Sequence, residues 1–360
     1  MKSLVQVAIC VFVLGLVVFP AQAAFTSLYI FGDAVSTTTN GPGGTSYYGK
    51  SYSNGRVWVE VLAERQGLTY NSNRNLSYYD HNSTNLVAEV NSFSAPPDAN
   101  SALFVVWVNN ADFVDDISSY GSSTNITAWT KSINQSLTNH FNIITNLYFA
   151  KGVRTLIMPN AVDITEIPGY THISSADKSF IRQRVIDFNT GFAATLDQAR
   201  ALLPGITIYV PDLFALLDNV LANPASYGLT NALDSNGQSV DALDDLSLTD
   251  KSLNGPGTNY IFWDYLDPTA KAHAVIGDDV QQLISPVQIS KITWLGGSTR
   301  LDMANIPIGR DGFVDGGTNL VDWASEANIT STNATQAIFV PATGPLRFYR
   351  LRFPFNWSWP

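Results

Sequence analysis

From Phe25 to about Ser285, short and nearly continuous apolar runs alternate with helical patterns. The runs TSLYIFG (26–32), ALFVVWVN (102–109), VRTLIMP (153–159) and ITIYVP (206–211) lack the in-out alternation of half-exposed strands, so they predict strands buried on both faces. Between them, apolar positions at helical spacing predict helices over 55–66, 127–150, 177–203 and 211–222. A further helix is predicted over 268–285, with Pro268 in its first turn. Alternation of this kind predicts a parallel sheet covered by helices, with a site at the carboxyl ends of the strands. After Pro286 the pattern changes to short β-type runs (ISKITWL, QAIFVPA, LRFYRLRFP) separated by turns such as GRDGF and DGGTN, with no helix. The chain therefore divides into a main domain, 24–285, and a small antiparallel β module, 286–360.

Ahead of the first strand, Lys2 precedes an apolar run from Leu4 to Phe19, then Pro20 and the small residues around Ala23. This is the layout of a cleavable signal peptide over 1–23. The run is shorter than the ~20 residues of a spanning helix, and no later segment is apolar and long enough to replace it. The expectation is export, either secreted or held in a periplasm or cell envelope, with no transmembrane segment after cleavage. The one cysteine, Cys10, lies in the signal, which excludes disulfides and thiolate metal sites from the mature chain. A formal charge of −10 without a Lys/Arg cluster argues against nucleic acid or anionic membrane as partner. Charged residues make up only 14%, and Asn, Ser, Thr and Tyr are abundant, a composition suited to neutral polar ligands such as sugars and equally to ordinary solvated surface.

Four stretches in order resemble the sequence blocks of the SGNH/GDSL hydrolase family, in its lipase and carbohydrate-esterase branch. IFGDAVSTTTN (30–40) resembles the first block, and YSNGRVWVEVLAERQGL (52–68) resembles the segment after it. LFVVWVNNADF (103–113) resembles the third block, YIFWDYLDPTAKAH (260–273) the last, and GVRTLIMPNAVDITEIP (152–168) the strand and loop between them. The resemblance spans about residues 26–285 and implies a three-layer α/β/α sandwich with a parallel sheet. It also implies a serine nucleophile, a histidine base, an aspartate that orients it, and oxyanion donors from a second-block glycine and a third-block asparagine.

The positions that carry this chemistry are replaced. The serine position is Ala34, the second block (75–84) has Tyr79 or Asp80 for glycine, the asparagine position is Ala111, and the histidine position is Asp267. Asp264 keeps the orienting carboxylate. An alanine methyl cannot attack a carbonyl, and a carboxylate is a far weaker base near pH 7 than a tuned imidazole. The expectation is an exported pseudo-esterase whose cleft still binds a small-molecule acyl-ester or carbohydrate ligand, with contacts from Asp33, Asn110 and Tyr79 and with no cofactor. The alternative is a working esterase with Ser36 as nucleophile or a carboxylate-held metal. A third reading makes the chain a surface or matrix protein whose cleft is empty.

Several residues carry two readings each. Ser36 suits a turn cap as well as a nucleophile. His273 suits a packed helix face as well as a displaced base, whereas His81, His140 and His172 share no metal-ligand spacing. Asp33, Asp112, Asp264 and Asp267 should converge at one sheet edge, either as a Ca²⁺-type oxygen set or as turn-binding carboxylates; the expectation is the latter, with no metal. Tyr47, Tyr48, Tyr78, Tyr79 and Trp58 are read either as a sugar platform or as core and sheet-edge residues. The tail, with its TNLVDW and FYRLR stretches, resembles small β modules that end many exported bacterial proteins. Asn-x-Ser/Thr sequons occur at Asn75, Asn82, Asn125, Asn134, Asn328, Asn333 and Asn356.

Overall fold

The computed structural model describes residues 25–121, 125–342 and 347–360, so the expected signal peptide lies outside the described residues. Among these, β1 (Leu28–Gly32), β2 (Leu103–Trp107), β3 (Thr155–Ile157) and β4 (Thr207–Tyr209) form a parallel sheet in sequence order. On the free side of β1 a single parallel bridge, Ile30 to Asn75, continues the sheet for one step. The chain thus leaves β1 on one side and returns to β2 on the other. The carboxyl end of β1 is therefore a topological switch point, where open α/β sheets leave a crevice.

The alternation of strand side chains makes the two cores. Tyr29, Phe31, Phe104 and Val106 face a core built with α2 (Ser83–Ser92), α3 (Asn109–Tyr120), α4 (Ile126–Phe149) and α5 (Ser175–Leu202). Leu28, Ile30, Leu103, Val105 and Trp107 face the other, with α1 (Trp58–Arg65), α6 (Leu213–Ala222) and α7 (Ala270–Ile284). Both faces are covered, which is why the strands read as continuous apolar runs rather than alternating ones.

Two helices fall outside the sequence expectation. α2 buries only Ser83, Leu86 and Val90, and α3 opens on Asn109-Asn110, so neither carries a broad apolar stripe. Local hydrogen bonds start α2 instead: Asn82 Oδ1 accepts from the backbone N–H groups of Thr84 and Asn85. Pro268 lies outside the helix, two positions before its first residue. Thr269 caps α7, its Oγ1 accepting from Ala272 N at 3.2 Å, and the helix begins at Ala270.

The C-terminal module is a sandwich of two three-stranded antiparallel sheets. One has the order β5 (Gln288–Trp294), β6 (Ser298–Ala304), β9 (Thr335–Pro341); the other has β10 (Phe348–Arg352), β7 (Gly312–Gly317), β8 (Ala324–Ile329). Leu301, Met303, Ile306, Val314, Ile329 and Val340 fill the space between. The glycine-rich stretches read as turns are partly strand β7. A Cβ on Gly312 would lie 2.6 Å from the Phe353 ring, and one on Gly317 would lie 2.4 Å from the Asp322 carbonyl oxygen, so these glycines permit close approach rather than reversal.

A buried ion pair joins the two parts: Arg65 of α1 meets Asp278 of α7 at 2.7 Å and donates to the Ile308 carbonyl oxygen at 3.0 Å. Arg310 of the module approaches the same Asp278 at 3.1 Å. Beyond β10 the chain returns to the main domain, where Trp359 Nε1 donates to the Asn54 carbonyl oxygen at 2.8 Å and its ring packs edge-on to Tyr48.

The packing of α7 on α1 depends on Gly277, whose added Cβ would stand 2.9 Å from Val61 Cγ1 and 3.1 Å from the Trp58 carbonyl oxygen. Gly277→Val is expected to overpack this contact and lower unfolding stability by about 1–3 kcal/mol in a denaturant titration. An unchanged midpoint would contradict the tight α1–α7 contact.

Candidate functional site

Gly32 ends β1 in a space that no other residue fits, because a Cβ there would lie 2.9 Å from both Ser36 Cβ and Ser77 Oγ. Asp33 follows, and its Oδ1 accepts from Val35 N at 3.1 Å, capping the short 3₁₀ turn Ala34–Ser36. The next segment laces onto this turn. Leu76 N donates to the Ile30 carbonyl oxygen (2.8 Å), Tyr78 N to that of Gly32 (3.1 Å), and Asn75 Nδ2 to that of Ser36 (2.7 Å). Asp80 then adopts φ 64°, the left-handed conformation that favours glycine, at one of the two positions where the second block calls for one.

Two further segments close the site. At the start of α3, Asn110 Oδ1 accepts from Val162 N at 3.1 Å, while Asp112 turns away to bind Ser83 N (3.0 Å) and the Ser136 hydroxyl (2.5 Å). The stretch before α7 folds into a tight loop in which Trp263 N donates to the Asp267 carbonyl oxygen at 2.8 Å. Inside it, Asp264 Oδ1 accepts from the N–H groups of Leu266 and Asp267 at 3.0 and 2.8 Å, and its Oδ2 accepts from the Tyr47 hydroxyl at 3.0 Å.

Asp33, Ala34, Tyr79, Asn110, Ala111 and Asp267 line one cavity of about 130 Å³ at the carboxyl end of the sheet. Its walls are aliphatic, from Val114, Ile164, Leu213, Leu217, Ile261 and Val275, with Trp107 at the end of β2. Asp264 stands behind this lining, one turn of the loop from Asp267. Ser36 also lies outside it: the residue is fully buried and its Oγ accepts from Trp58 Nε1 at 3.1 Å. His273 is buried on α7 with Nδ1 unbonded, and burial pushes it down to about 3, so it is neutral at ordinary pH.

The electrostatics follow from carboxyls buried without cations. Burial raises Asp33 to about 7, against two backbone N–H groups that lower it and with Asp112 adding to the rise. Burial, then Asp264, then Asp33 push Asp267 well above the carboxylate range. Asp264 is raised by burial too, partly offset by the Leu266 and Asp267 N–H groups and the Tyr47 hydroxyl. Among the described residues the charged side chains of the lining are Asp33, Asp80 and Asp267, with no Lys, Arg or His. No group of three or more His, Cys, Asp or Glu among them is placed to hold a metal ion.

Of the aromatic candidates, Tyr47 and Tyr79 reach the site. Tyr79 stacks on Tyr52 (centroids 5.2 Å apart), and its hydroxyl lies 3.5 Å from that of Tyr265. Trp58 is core, Tyr48 packs on Trp359, and Tyr78 packs on His81. Sequence reasoning missed Tyr52, Tyr265, Trp107 and the leucines of α6. The leucines had a signal: LFALLDNVLA is apolar on most of its circumference, as a helix packed on two sides must be.

The sequence pattern of the family described as GDSL-like Lipase/Acylhydrolase matches residues 28–280. A GDSL esterase/lipase of Arabidopsis thaliana is 22% identical over 157 residues, covering 43% of this chain and 40% of the relative, so the chain spans about two fifths of that protein's length. Among solved structures, a lipase from a goat rumen metagenome is 10% identical with TM-score 0.43, covering 72% of this chain and 97% of its own. The acetylxylan esterase Axe2 of Geobacillus stearothermophilus is 11% identical with TM-score 0.40 (72% and 94%), and an extracellular lipase of Streptomyces rimosus 13% with 0.41 (72% and 99%).

Asp33 supplies a test of the buried-carboxyl electrostatics. Its folded value, about 7, lies above the unfolded one near 4, so the stability tied to its neutral form is complete below about pH 4 and lost as pH rises through about 7. Asp33→Asn keeps the Oδ1 acceptor and removes the ionisation. The variant is expected to match wild type near pH 4 and to exceed it at pH 8 by on the order of a few kcal/mol in denaturant titrations. An advantage of equal size at both pH values would contradict the assignment.

Proposed function

This chain belongs to the GDSL-like lipase/acylhydrolase family, and we propose that within it the protein is an exported, non-hydrolysing member whose old ester cleft is a binding site for an acylated ligand. The observation that carries the reading is Ala34: the turn that should present a nucleophile presents a methyl to the cavity. The base position reinforces it. Asp267, buried beside Asp264 and Asp33, is pushed toward its protonated form, the opposite of a group poised to remove a proton. The third-block position is a methyl as well, Ala111, so no side-chain amide there stabilises an oxyanion. The aliphatic walls suit the acyl part of a ligand, and the tyrosines at Tyr79, Tyr52 and Tyr265 suit its alcohol or carbohydrate part. Ser36 is spoken for by Trp58, which favours binding over hydrolysis through a shifted nucleophile.

The test is to rebuild the chemistry. Triad members act as a unit, so Ala34→Ser or Asp267→His alone should give no acyl-ester turnover, like wild type. The pair together should give weak turnover of p-nitrophenyl acetate and butyrate. Adding Ala111→Asn returns one oxyanion donor, worth on the order of 10²-fold. Adding Tyr47→Phe should help further, because Asp264 Oδ2 is then released to orient the new imidazole. A well-folded quadruple variant that hydrolyses nothing would refute a disabled esterase cleft, and turnover by wild type would refute the non-hydrolysing reading.

A further inference from the structure

Two buried side-chain polar atoms of the cavity lining have no hydrogen-bond partner: Trp107 Nε1 and Asp267 Oδ1. Both residues are 2% exposed, and each belongs to a different wall, the end of β2 and the loop before α7. Buried polar groups in native proteins are normally satisfied, and an orphan costs the full desolvation of the group. Resting on the reading of the cleft as a binding site, we propose that it selects a neutral apolar molecule carrying one hydrogen-bond acceptor, a carbonyl above all, and rejects the corresponding carboxylate anion. Trp107 and Asp267 are its recognition residues.

The indole N–H is a donor only. Asp267 is a donor when it carries its proton. The titratable groups around it all favour that state or leave it alone: Asp264 in its own loop and Asp33 after β1 are acidic, Tyr47, Tyr52 and Tyr265 bear no charge at neutral pH, and His273 is neutral on α7. No basic residue of the described lining attracts an anion. A ligand acid would enter only by burying its charge in an apolar cavity that offers no cation, which costs far more than the hydrogen bond returns. Size is set by the walls: cavities of ~150 Å³ take benzene, so about 130 Å³ encloses roughly five or six heavy atoms, with anything longer emerging past Tyr79.

The site thus separates an intact short-chain ester from the acid its hydrolysis would release. Calorimetric titration with 2-heptanone, heptane, methyl hexanoate and hexanoate tests this, and the ketone has no ester bond, so its binding is independent of turnover. Wild type is expected to bind 2-heptanone and methyl hexanoate, and to bind hexanoate at pH 8 at least 100-fold more weakly than the ketone. Asp267→Leu should lower the ketone-to-heptane affinity ratio about tenfold. Asp267→Asn keeps a donor that does not titrate, so the ketone affinity should fall with rising pH more steeply in wild type than in the variant, where Asp33 still titrates, and this carries the test if the leucine variant does not fold. Equal ketone-to-heptane ratios in wild type and Asp267→Leu, a flat wild-type pH profile from pH 5 to 10, or hexanoate binding as tightly as the ketone would overturn the proposal. Release of hexanoate from methyl hexanoate would overturn the non-hydrolysing reading alone, and failure of both heptane and ketone to bind would overturn the cleft itself.

Discussion

A carboxyl group buried without a cation governs this site. Asp33 follows β1, caps the Ala34–Ser36 turn through Val35 N, and is 4% exposed. Its burial follows from Gly32, the one residue small enough to let the turn fold back against Ser36 and Ser77. Every other wall is placed relative to that turn: the 75–80 segment bonds to its backbone, α3 stands across the cavity, and Asp267 meets the same turn from the last loop. Because no arginine or lysine enters, the cheapest way to keep these carboxyls together is to leave protons on them. The site is acidic in composition and close to neutral in charge.

The parts of the fold that follow from solvent exclusion were legible in the sequence. Strands buried on both faces cannot hide as anything but continuous apolar runs, and β1 to β4 lie inside the four runs read as strands. The long helices α4 and α5 likewise follow from spacing alone. What escaped is structure fixed by local polar contacts: α2, started by Asn82, and α3, started by a backbone that must leave β2 at the cavity edge. In the β module, glycines signalled turns because glycine commonly does, whereas Gly312 and Gly317 serve contacts with Phe353 and Asp322 that are distant or irregular in sequence. Periodicity cannot report a neighbour brought in from forty residues away.

For the site, the block alignment pointed at Ala34, Ala111 and Asp267 because it counts residues from fixed turns, and those turns persist whether or not chemistry does. It could not see Trp107 or α6. Those positions touch the cavity through packing of the third dimension, and a tryptophan at the end of a buried strand reads as core until its indole N–H is found without a partner.

The substitution at 267 changes more than reactivity. A histidine there would be held by Asp264 and would alternate between accepting and donating a proton, which is what ester hydrolysis requires. An aspartate beside the same Asp264 cannot ionise cheaply, and with Tyr47 fastened to Asp264 Oδ2 the orienting carboxylate has a different partner. Burial and the mutual repulsion of the two carboxyls both favour keeping a proton on the pair. A group that holds a proton in an apolar cavity is a hydrogen-bond donor, which is the basis for proposing that the cleft recognises the carbonyl that a base and nucleophile would have destroyed. On the proposed reading, loss of the nucleophile alone would leave a silent esterase, whereas loss of the base to a carboxyl in this setting would turn the cleft into a receptor for the intact bond.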